Sequence, residues 1–270
     1  MTRSRTANEP KYSTLSCELS DKVKVITLNR PERRNAISGE MIEDILSSLA
    51  NAEQNHDVRV VIITGAGKAF SSGMDIETLQ SLSNQTPEEN LGDSRQMARM
   101  FQRIYDFPKP LITAVNGAAI AGGCGIATFS DITLAAPEAK FGYTEVRIGF
   151  IPALVSVLLR RQVGEKRARE LLLTGRIFDA QEAYRLGLVT EIVPADQLMQ
   201  RAREIANGFL ESSPTSLLRT KHLLLLYDES GVRQEVEWAT KANAEIRGTE
   251  DFKEGLASFL EKRPPKWPSR

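Results

Sequence analysis

The stretch NGAAIAGGCGIATFSDI, residues 116–132, places glycines at the start of a segment that otherwise has the apolar composition of a buried helix. Glycine inside a helix costs about 1 kcal/mol relative to alanine, so Gly122, Gly123 and Gly125 together weaken this helix. Packing alone does not favour such a cluster. We therefore expect another group to approach the bare backbone at this turn.

The segments on both sides of this stretch repeat the order strand, turn, helix. RVVIITGAG is a β-branched run that closes in glycines after Thr64, and PLITAV is a short buried strand ending near Val115. KVKVITLNR ends near Asn29 and precedes apolar positions at helical spacing, for which Ser38 is a suitable N-cap. DITLAA is a further strand downstream. The repeat predicts an α/β protein with its chemistry in the loops at strand ends.

Beyond Pro152 the pattern becomes almost entirely helical, with one brief strand at LVTEIV. We therefore divide the chain into a core, residues 1–200, and a helical region, residues 201–270. The amphipathic segment PTSLLRTKHLLLLY has more apolar positions than a monomer needs, which leaves homo-oligomerisation and packing within one chain both open. The polar segment at residues 77–96 predicts a mobile flap beside the site.

Composition argues against several classes of partner. Lys plus Arg and Asp plus Glu each number 35, so no net charge recruits a nucleic acid or an anionic membrane. Cys17 and Cys124 lie far apart and there are only two histidines, which predicts neither a disulfide nor a metal site. No secretory signal and no long uncharged apolar run is present, so we expect a cytoplasmic protein.

Motifs for nucleotide cofactors and serine hydrolysis are missing. TGAGKAF is not a phosphate-binding loop, because Ile62 stands where the first glycine is needed and Ala69 replaces the hydroxyl residue after the lysine. No GxGxxG follows a strand, and no GxSxG elbow occurs. The sequence therefore predicts no cofactor.

Two glycine-rich turns remain as carriers of chemistry: GKAFSSGMDI, residues 67–76, and the stretch quoted first. The start of a helix offers unpaired N–H groups, and glycine lets a ligand oxygen approach them. Two adjacent turns can direct two N–H groups at one oxygen, which is the arrangement of an oxyanion hole. Tight packing of helix against sheet is the alternative reading of either turn alone.

These turns, together with AKFGYTEVRIGFIP, LLTGRIFDAQEAYRLGLVTEIVP and FLEKRPPKW, resemble the crotonase, or enoyl-CoA hydratase/isomerase, superfamily in order over roughly residues 23–267. The resemblance implies a spiral of repeated ββα units with an α-helical C-terminal region that builds trimers or hexamers. It also implies that the backbone N–H groups of Met74 and Gly122 polarise the thioester carbonyl of an acyl-CoA. Coenzyme A is then part of the substrate rather than a cofactor.

The same resemblance implies further substrate contacts. Lys68 matches a position near the CoA phosphates, Arg33 and Arg34 lie in the turn lining the adenine site, and Lys262 contacts the CoA of a neighbouring subunit. The glycine-rich turns contribute the remaining predicted substrate-binding residues, which are Ser72, Gly73, Gly123 and Gly125. Each cation has the alternative role of a solvated surface charge.

Hydratases of the superfamily use two glutamates, and this sequence retains one of them. Glu145 follows the FG dipeptide, whereas Gly125 stands where the other glutamate is expected. Glu145 lies among apolar residues, so desolvation should raise its pKa toward the working pH of a group that takes and gives a proton. A solvated surface charge is the alternative for a lone glutamate.

GCG paired with EVRIGFIPA also resembles bacterial members of the superfamily assigned as hydratases of branched or carboxylated enoyl-CoAs, including methylglutaconyl-CoA. This resemblance favours addition or removal of water across the 2,3 double bond of an enoyl-CoA. The single glutamate favours a Δ3,Δ2-enoyl-CoA isomerase, and the loss at Gly125 also allows an acyl-CoA-binding protein without catalysis. Arg147, next in the EVRIG motif, either meets a carboxylate on the substrate or lies at the surface or a subunit contact.

Overall fold

The computed structural model describes residues 10–82, 84–227 and 229–268. The strands are β1 Leu15–Ser20, β2 Val23–Leu28, β3 Val60–Gly65, β4 Ala69–Ser71, β5 Leu111–Val115, β6 Ala118–Ile120, β7 Ile132–Ala135, β8 Lys140–Gly142, β9 Ile177–Asp179 and β10 Glu191–Ile192. The helices are α1 Gly39–Gln54, α2 Ile76–Leu82, α3 Pro87–Tyr105, α4 Gly122–Phe129, α5 Ala153–Val163, α6 Glu165–Thr174, α7 Ala180–Arg185, α8 Leu198–Glu211, α9 Pro214–Leu226, α10 Glu229–Glu245 and α11 Glu250–Glu261. Short 3₁₀ turns occupy Pro31–Arg33, Glu145–Ile148 and Ile246–Gly248.

From β3 to β8, successive strands alternate between two sheets. A six-stranded sheet has the order β1-β2-β3-β5-β7-β10, and a four-stranded sheet has the order β4-β6-β8-β9. Strands β3, β5 and β7 of the first sheet are each followed along the chain by a strand of the second sheet. These three strands, β4, β6 and β8, pair in parallel with one another. Helical segments follow each pair. The predicted spiral of ββα units is therefore confirmed.

The central strands β3 and β5 of the six-stranded sheet are buried on both faces, as their apolar runs predict. On one face Val60 and Ile62 of β3 pack against Ala202 and Ala206 of α8, while the opposite face joins α1, α3 and α4 in the largest apolar core. The alternation follows from the two-residue period of a strand. Because α8 spans residue 200 and covers this sheet, the predicted division at that residue falls inside a core element.

The C-terminal region is helical, as predicted, and α10 packs against α3 and α5. Helix α9 differs from its neighbours because none of its residues is buried. Its exposed apolar side chains are Leu218, Leu223, Leu224 and Leu226, with Tyr227 directly after it. No helix in the described ranges is long and apolar enough to cross a bilayer.

Two local predictions can be compared directly with the structure. Ser38 caps α1, since its hydroxyl accepts a hydrogen bond from the amide of Met41 at 3.2 Å. The segment predicted to be a flap is instead largely helical: α2 occupies its start, and α3 begins at Pro87 behind a capping box of Thr86 and Glu89. Its polar composition reflects the solvent side of α3, whose Met97 and Phe101 face the core.

Candidate active site

The main cleft opens where the second sheet ends. Strands β4, β6 and β8 are parallel neighbours, so the segments that follow them meet at one edge of the sheet. These segments are residues 72–76, 120–122 and 144–148, and side chains from α3, α5 and α11 complete the walls. The cleft has a volume of about 820 Å³, large enough for a sizeable organic ligand.

The cleft brings together some, but not all, of the residues predicted from the sequence. Those that line it are Arg33, Arg34, Ser72, Met74, Gly122 and Glu145. Those that do not line it are Lys68, Gly73, Gly123, Gly125 and Lys262. Lys68 and Lys262 are exposed, and Lys262 lies next to Arg263, which does line the cleft.

The amide of Met74 is set by a short parallel bridge to Ile37. The amide of Ile37 donates to the carbonyl of Gly73 at 2.8 Å, and the amide of Asp75 donates to the carbonyl of Ile37 at 2.9 Å. In extended backbone, successive N–H groups point to opposite sides. The N–H of Met74 therefore points away from Ile37, and Met74 lines the cleft.

The amide of Gly122 is set by a strained residue that precedes α4. Ala121 has φ +48° and ψ −118°, and its N–H donates to the carbonyl of Gly142 at 2.8 Å. A positive φ in a residue other than glycine costs about 1–3 kcal/mol, so the surrounding structure must impose it. This sharp turn places Gly122 first in α4, where its N–H has no acceptor within the helix. The strain at Ala121 has no signal in the sequence.

The two turns touch through Gly73. A Cβ atom added to Gly73, where φ is +87°, would lie 3.6 Å from the amide nitrogen of Gly122 and 3.0 Å from the carbonyl oxygen of Ile120. Bare backbone is therefore required between the turn that carries Met74 and the turn that carries Gly122. Met74 and Gly122 both line the cleft.

Gly123 and Gly125 have a packing role in this structure. A Cβ on Gly123 would lie 2.5 Å from the carbonyl oxygen of Ser71, so only glycine lets α4 approach β4. A Cβ on Gly125 would lie 2.7 Å from Cγ1 of Val155 and 2.9 Å from Cε1 of Phe101. The space in which a second carboxylate would begin is thus filled by apolar side chains.

Glu145 is a buried acid on the cleft wall. Glu145 is only 9% exposed. It is the first residue of a 3₁₀ turn, and its backbone carbonyl accepts a hydrogen bond from the amide of Phe150 at 3.0 Å. No described residue donates a hydrogen bond to its Oε2 atom. Burial raises the pKa of this carboxyl from its ordinary 4.5 to about 7. Glu145 can therefore hold or release a proton near neutral pH.

The raised pKa predicts a pH-dependent stability. The folded chain binds this proton more tightly than the unfolded chain, so the stabilisation is complete below pH 4.5 and is lost as the pH rises through about 7. Glutamine does not titrate. The free energy of unfolding of Glu145→Gln should therefore rise relative to the unaltered protein by about 1–3 kcal/mol between about pH 5 and about pH 8. Urea unfolding at both pH values measures this, and a difference independent of pH would contradict it.

An ion pair that the sequence analysis missed supports the Met74 turn. Arg30 Nη1 lies 2.9 Å from Oδ2 of the buried Asp75, and the other carboxylate oxygen of Asp75 accepts from the amide of Glu77 at 3.0 Å. Asp75 thereby holds both the turn and the start of α2. An acid directly before the helical segment IETLQSL is a local capping signal, but nothing in the sequence identifies Arg30 as its partner.

The cations at the cleft differ in their pairing. Arg33 forms an ion pair with Glu77 at 2.8 Å, and Arg263 binds Glu254. Arg34 and Arg147 are exposed, and neither side chain has an ion-pair partner among the residues that the structure describes. These two side chains are available to an anionic ligand.

Comparison with known proteins gives consistent matches over almost the whole chain. The model of the enoyl-CoA hydratase/isomerase family matches residues 18–270. A Thermus thermophilus protein that is named as an enoyl-CoA hydratase is 47% identical over 91% of this chain and 97% of its own length. A short-chain-enoyl-CoA hydratase of Clostridium acetobutylicum is 34% identical over 91% of this chain and 94% of its own. The crystal structure of an enoyl-CoA hydratase/isomerase from Xanthobacter autotrophicus Py2 has a TM-score of 0.87 and 32% identity, covering 94% of this chain and 98% of that one.

Proposed function

Because this chain belongs to the enoyl-CoA hydratase/isomerase family, we propose that it is an enzyme that adds water across the 2,3 double bond of an enoyl-CoA thioester. The observation that carries the proposal is that one cleft is lined by Met74, by Gly122 and by the buried Glu145, whose Oε2 atom has no hydrogen-bond partner among the described residues. Acyl-CoA is the substrate class of the family, and the cleft is large enough to hold its reactive end.

The two amides act on the thioester. As a nucleophile adds at C3, negative charge develops on the carbonyl oxygen, and the N–H groups of Met74 and Gly122 donate to it. Preorganised donors of this kind each lower a barrier by about 2.7–4 kcal/mol. The strain at Ala121 and the ion pair at Asp75 hold these donors before substrate arrives.

Glu145 moves the protons. In its neutral form the carboxyl gives its proton to C2 while its other oxygen takes a proton from the water that attacks C3. The C3–O and C2–H bonds form on one face, the double bond is consumed, and Glu145 ends the step protonated as it began. A pKa of about 7 keeps the required acid form populated at neutral pH.

A second function, isomerisation of a 3-enoyl-CoA to a 2-enoyl-CoA, is favoured by the surroundings of Gly125. Val155 and Phe101 fill the position at which hydratases with two glutamates carry the second acid. Isomerisation needs one base, because the Glu145 carboxylate removes a proton from C2 and returns it to C4. Apolar side chains at this position suit a reaction that excludes water.

The two functions are separated by the products. Purified protein is incubated with crotonyl-CoA, a 3-enoyl-CoA and methylglutaconyl-CoA, and the products are identified by mass spectrometry. Hydration adds the mass of one water to a 2-enoyl-CoA, whereas isomerisation leaves the mass unchanged and creates the absorbance of the conjugated thioester. We expect hydration. Double-bond migration alone would favour the isomerase, and saturable binding without any product would indicate an acyl-CoA-binding protein.

We further propose that the chain forms a homo-oligomer, a trimer or a hexamer. CoA then contacts Arg33, Arg34 and Lys68 of one copy and Lys262 of a neighbouring copy. The support for assembly is the uncovered apolar face of α9, which a second copy can bury. The support for the CoA contacts is that Arg34 is exposed at the cleft and that Lys262, directly after α11, is exposed and does not line the cleft of its own chain.

A further inference from the structure

Asn243 of α10 is a buried polar residue on the cleft wall, only 6% exposed. Its Oδ1 atom accepts two hydrogen bonds, from the hydroxyl of Ser94 at 2.7 Å and from Nη2 of Arg247 at 3.0 Å. A guanidinium can only donate, so the atom facing Arg247 must be the amide oxygen. The orientation of the Asn243 amide is thereby determined.

The other end of this amide is available to a ligand. No acceptor for the Asn243 Nδ2 atom exists among the described residues, and this nitrogen is not sealed from solvent. Since the residue lines the cleft and is otherwise buried, its two N–H donors face the cleft. A buried amide donor needs an acceptor, which here must come from water or from a bound ligand.

Behind Asn243 lies a cation that is only partly compensated. Arg247 is 1% exposed and donates to the carbonyl and side-chain oxygens of Asn90 at 3.2 and 3.3 Å. Its nearest acid, Asp93, is 3.7 Å away and 39% exposed. Burial lowers the pKa of the guanidinium to about 10, so it stays charged at neutral pH. Its positive field reaches the cleft through Asn243 and favours a negatively charged acceptor.

This polar group is close to the catalytic segment. The ring of Phe150 lies 5.9 Å from the Arg247 guanidinium, and the amide of Phe150 donates to the carbonyl of Glu145 at 3.0 Å. Phe150 and Met97, which follows Ser94 by one helical turn, line the same cleft. Glu145, Phe150 and Asn243 therefore line the same cleft in which the acyl group would lie.

We propose that Asn243 is a specificity-determining residue whose amide donates to an oxygen on the acyl group, and that this oxygen belongs to a carboxylate at the end of the chain. The proposal rests on the proposed function of the cleft. Arg247 and Ser94 orient the amide, and the charge of Arg247 selects an anion over a neutral oxygen. The substrate class is then an enoyl-CoA with a second carboxyl group.

The test compares binding of saturated acyl-CoAs that differ only in the terminal group. Titration calorimetry measures the affinity of pentanoyl-CoA against glutaryl-CoA and of hexanoyl-CoA against adipyl-CoA. Asn243→Asp is the informative variant, because it keeps acceptors for Ser94 and Arg247 but replaces the N–H donors by a negative charge. Arg147→Gln is the matched comparison, since Arg147 is a cleft cation without an ion-pair partner among the described residues.

We expect the unaltered protein to prefer the carboxylated member of at least one pair. Asn243→Asp should lower that preference by about 10- to 100-fold, the effect of losing a hydrogen bond to a charged group, whereas Arg147→Gln should retain it. An unaltered protein that favours the alkyl members, or a preference abolished by Arg147→Gln and kept in Asn243→Asp, would overturn the proposal. If Asn243→Asp lowered the affinity for both members of a pair equally, Asn243 would have a structural role and the proposal would be wrong. Because binding is measured without turnover, these outcomes do not depend on whether the protein hydrates its ligand.

Discussion

Glu145→Gln should lower the rate of enoyl-CoA turnover by at least about 10²-fold, and by up to about 10⁴-fold, because glutamine keeps the shape of the side chain but neither gives nor takes a proton. Affinity for a saturated acyl-CoA should remain within a few fold, since the amides of Met74 and Gly122 are untouched. Steady-state kinetics and calorimetric titration measure the two effects separately.

Glu138→Gln is the matched control. Glu138 lies seven residues before Glu145 and is exposed, so the same chemical change there should leave the rate unaltered. If Glu145→Gln retained the full rate, Glu145 would have no role as proton carrier.

The pH profile of the same enzyme separates the two candidate reactions. Hydration as proposed begins from the neutral carboxyl, so its rate should fall as the pH rises through about 7. Isomerisation begins from the carboxylate, so its rate should instead rise over the same range. Neither pH dependence of the rate should remain in Glu145→Gln.

Gly73→Ala should lower the rate by about 10²- to 10³-fold, the usual effect of disabling an oxyanion donor. The added Cβ would lie 3.0 Å from both the Ile120 carbonyl oxygen and the Ala121 side chain, which are tight contacts. To relieve them, the turn carrying Met74 must move away from the turn carrying Gly122. The two amides would then no longer serve one oxygen.

Gly67→Ala is the control for backbone strain. Gly67 also has a positive φ, +71° against +87° at Gly73, and its added Cβ would meet only the side chain and Cα of Pro31 outside the cleft. Thermal unfolding should show a similar loss of stability in both variants, but only Gly73→Ala should show a lower rate of enoyl-CoA turnover. Equal rates in the two variants would show that the contact between the turns is dispensable.

Local sequence patterns predicted the regular architecture well. In long helices and buried strands the hydrophobic pattern repeats over many residues and is easily detected. The family resemblance supplied the alignment that assigns Glu145 to the cleft. The strands β4, β6, β8 and β9 went unpredicted, because each has three residues and so has little periodicity to detect. The six-residue strand β1 was also missed. The three-residue strands matter here, since β4, β6 and β8 deliver the cleft segments.

At Gly125 the sequence shows which residue is present, but only the structure shows what surrounds it. The sequence shows that a second glutamate is missing, which is a statement about one position. Only packing shows that Val155 and Phe101 occupy the vacated space, so that no other acid of the described chain stands in for it there. Gly123 likewise allows the close approach of α4 to Ser71 of β4, which its position in the motif does not show.

The sequence by itself determined the repeating α/β architecture, the helical C-terminal region, the glycine-rich turns and the single glutamate, because each is encoded in neighbouring residues. Tertiary structure alone decided which groups act together. Ser94 and Asn243 are 149 positions apart, and Arg30 and Asp75 are 45 apart, yet each pair shares a hydrogen bond. The strain at Ala121 also arises from contacts imposed by distant segments. Such pairings depend on chain folding in three dimensions, and local periodicity contains no information about them.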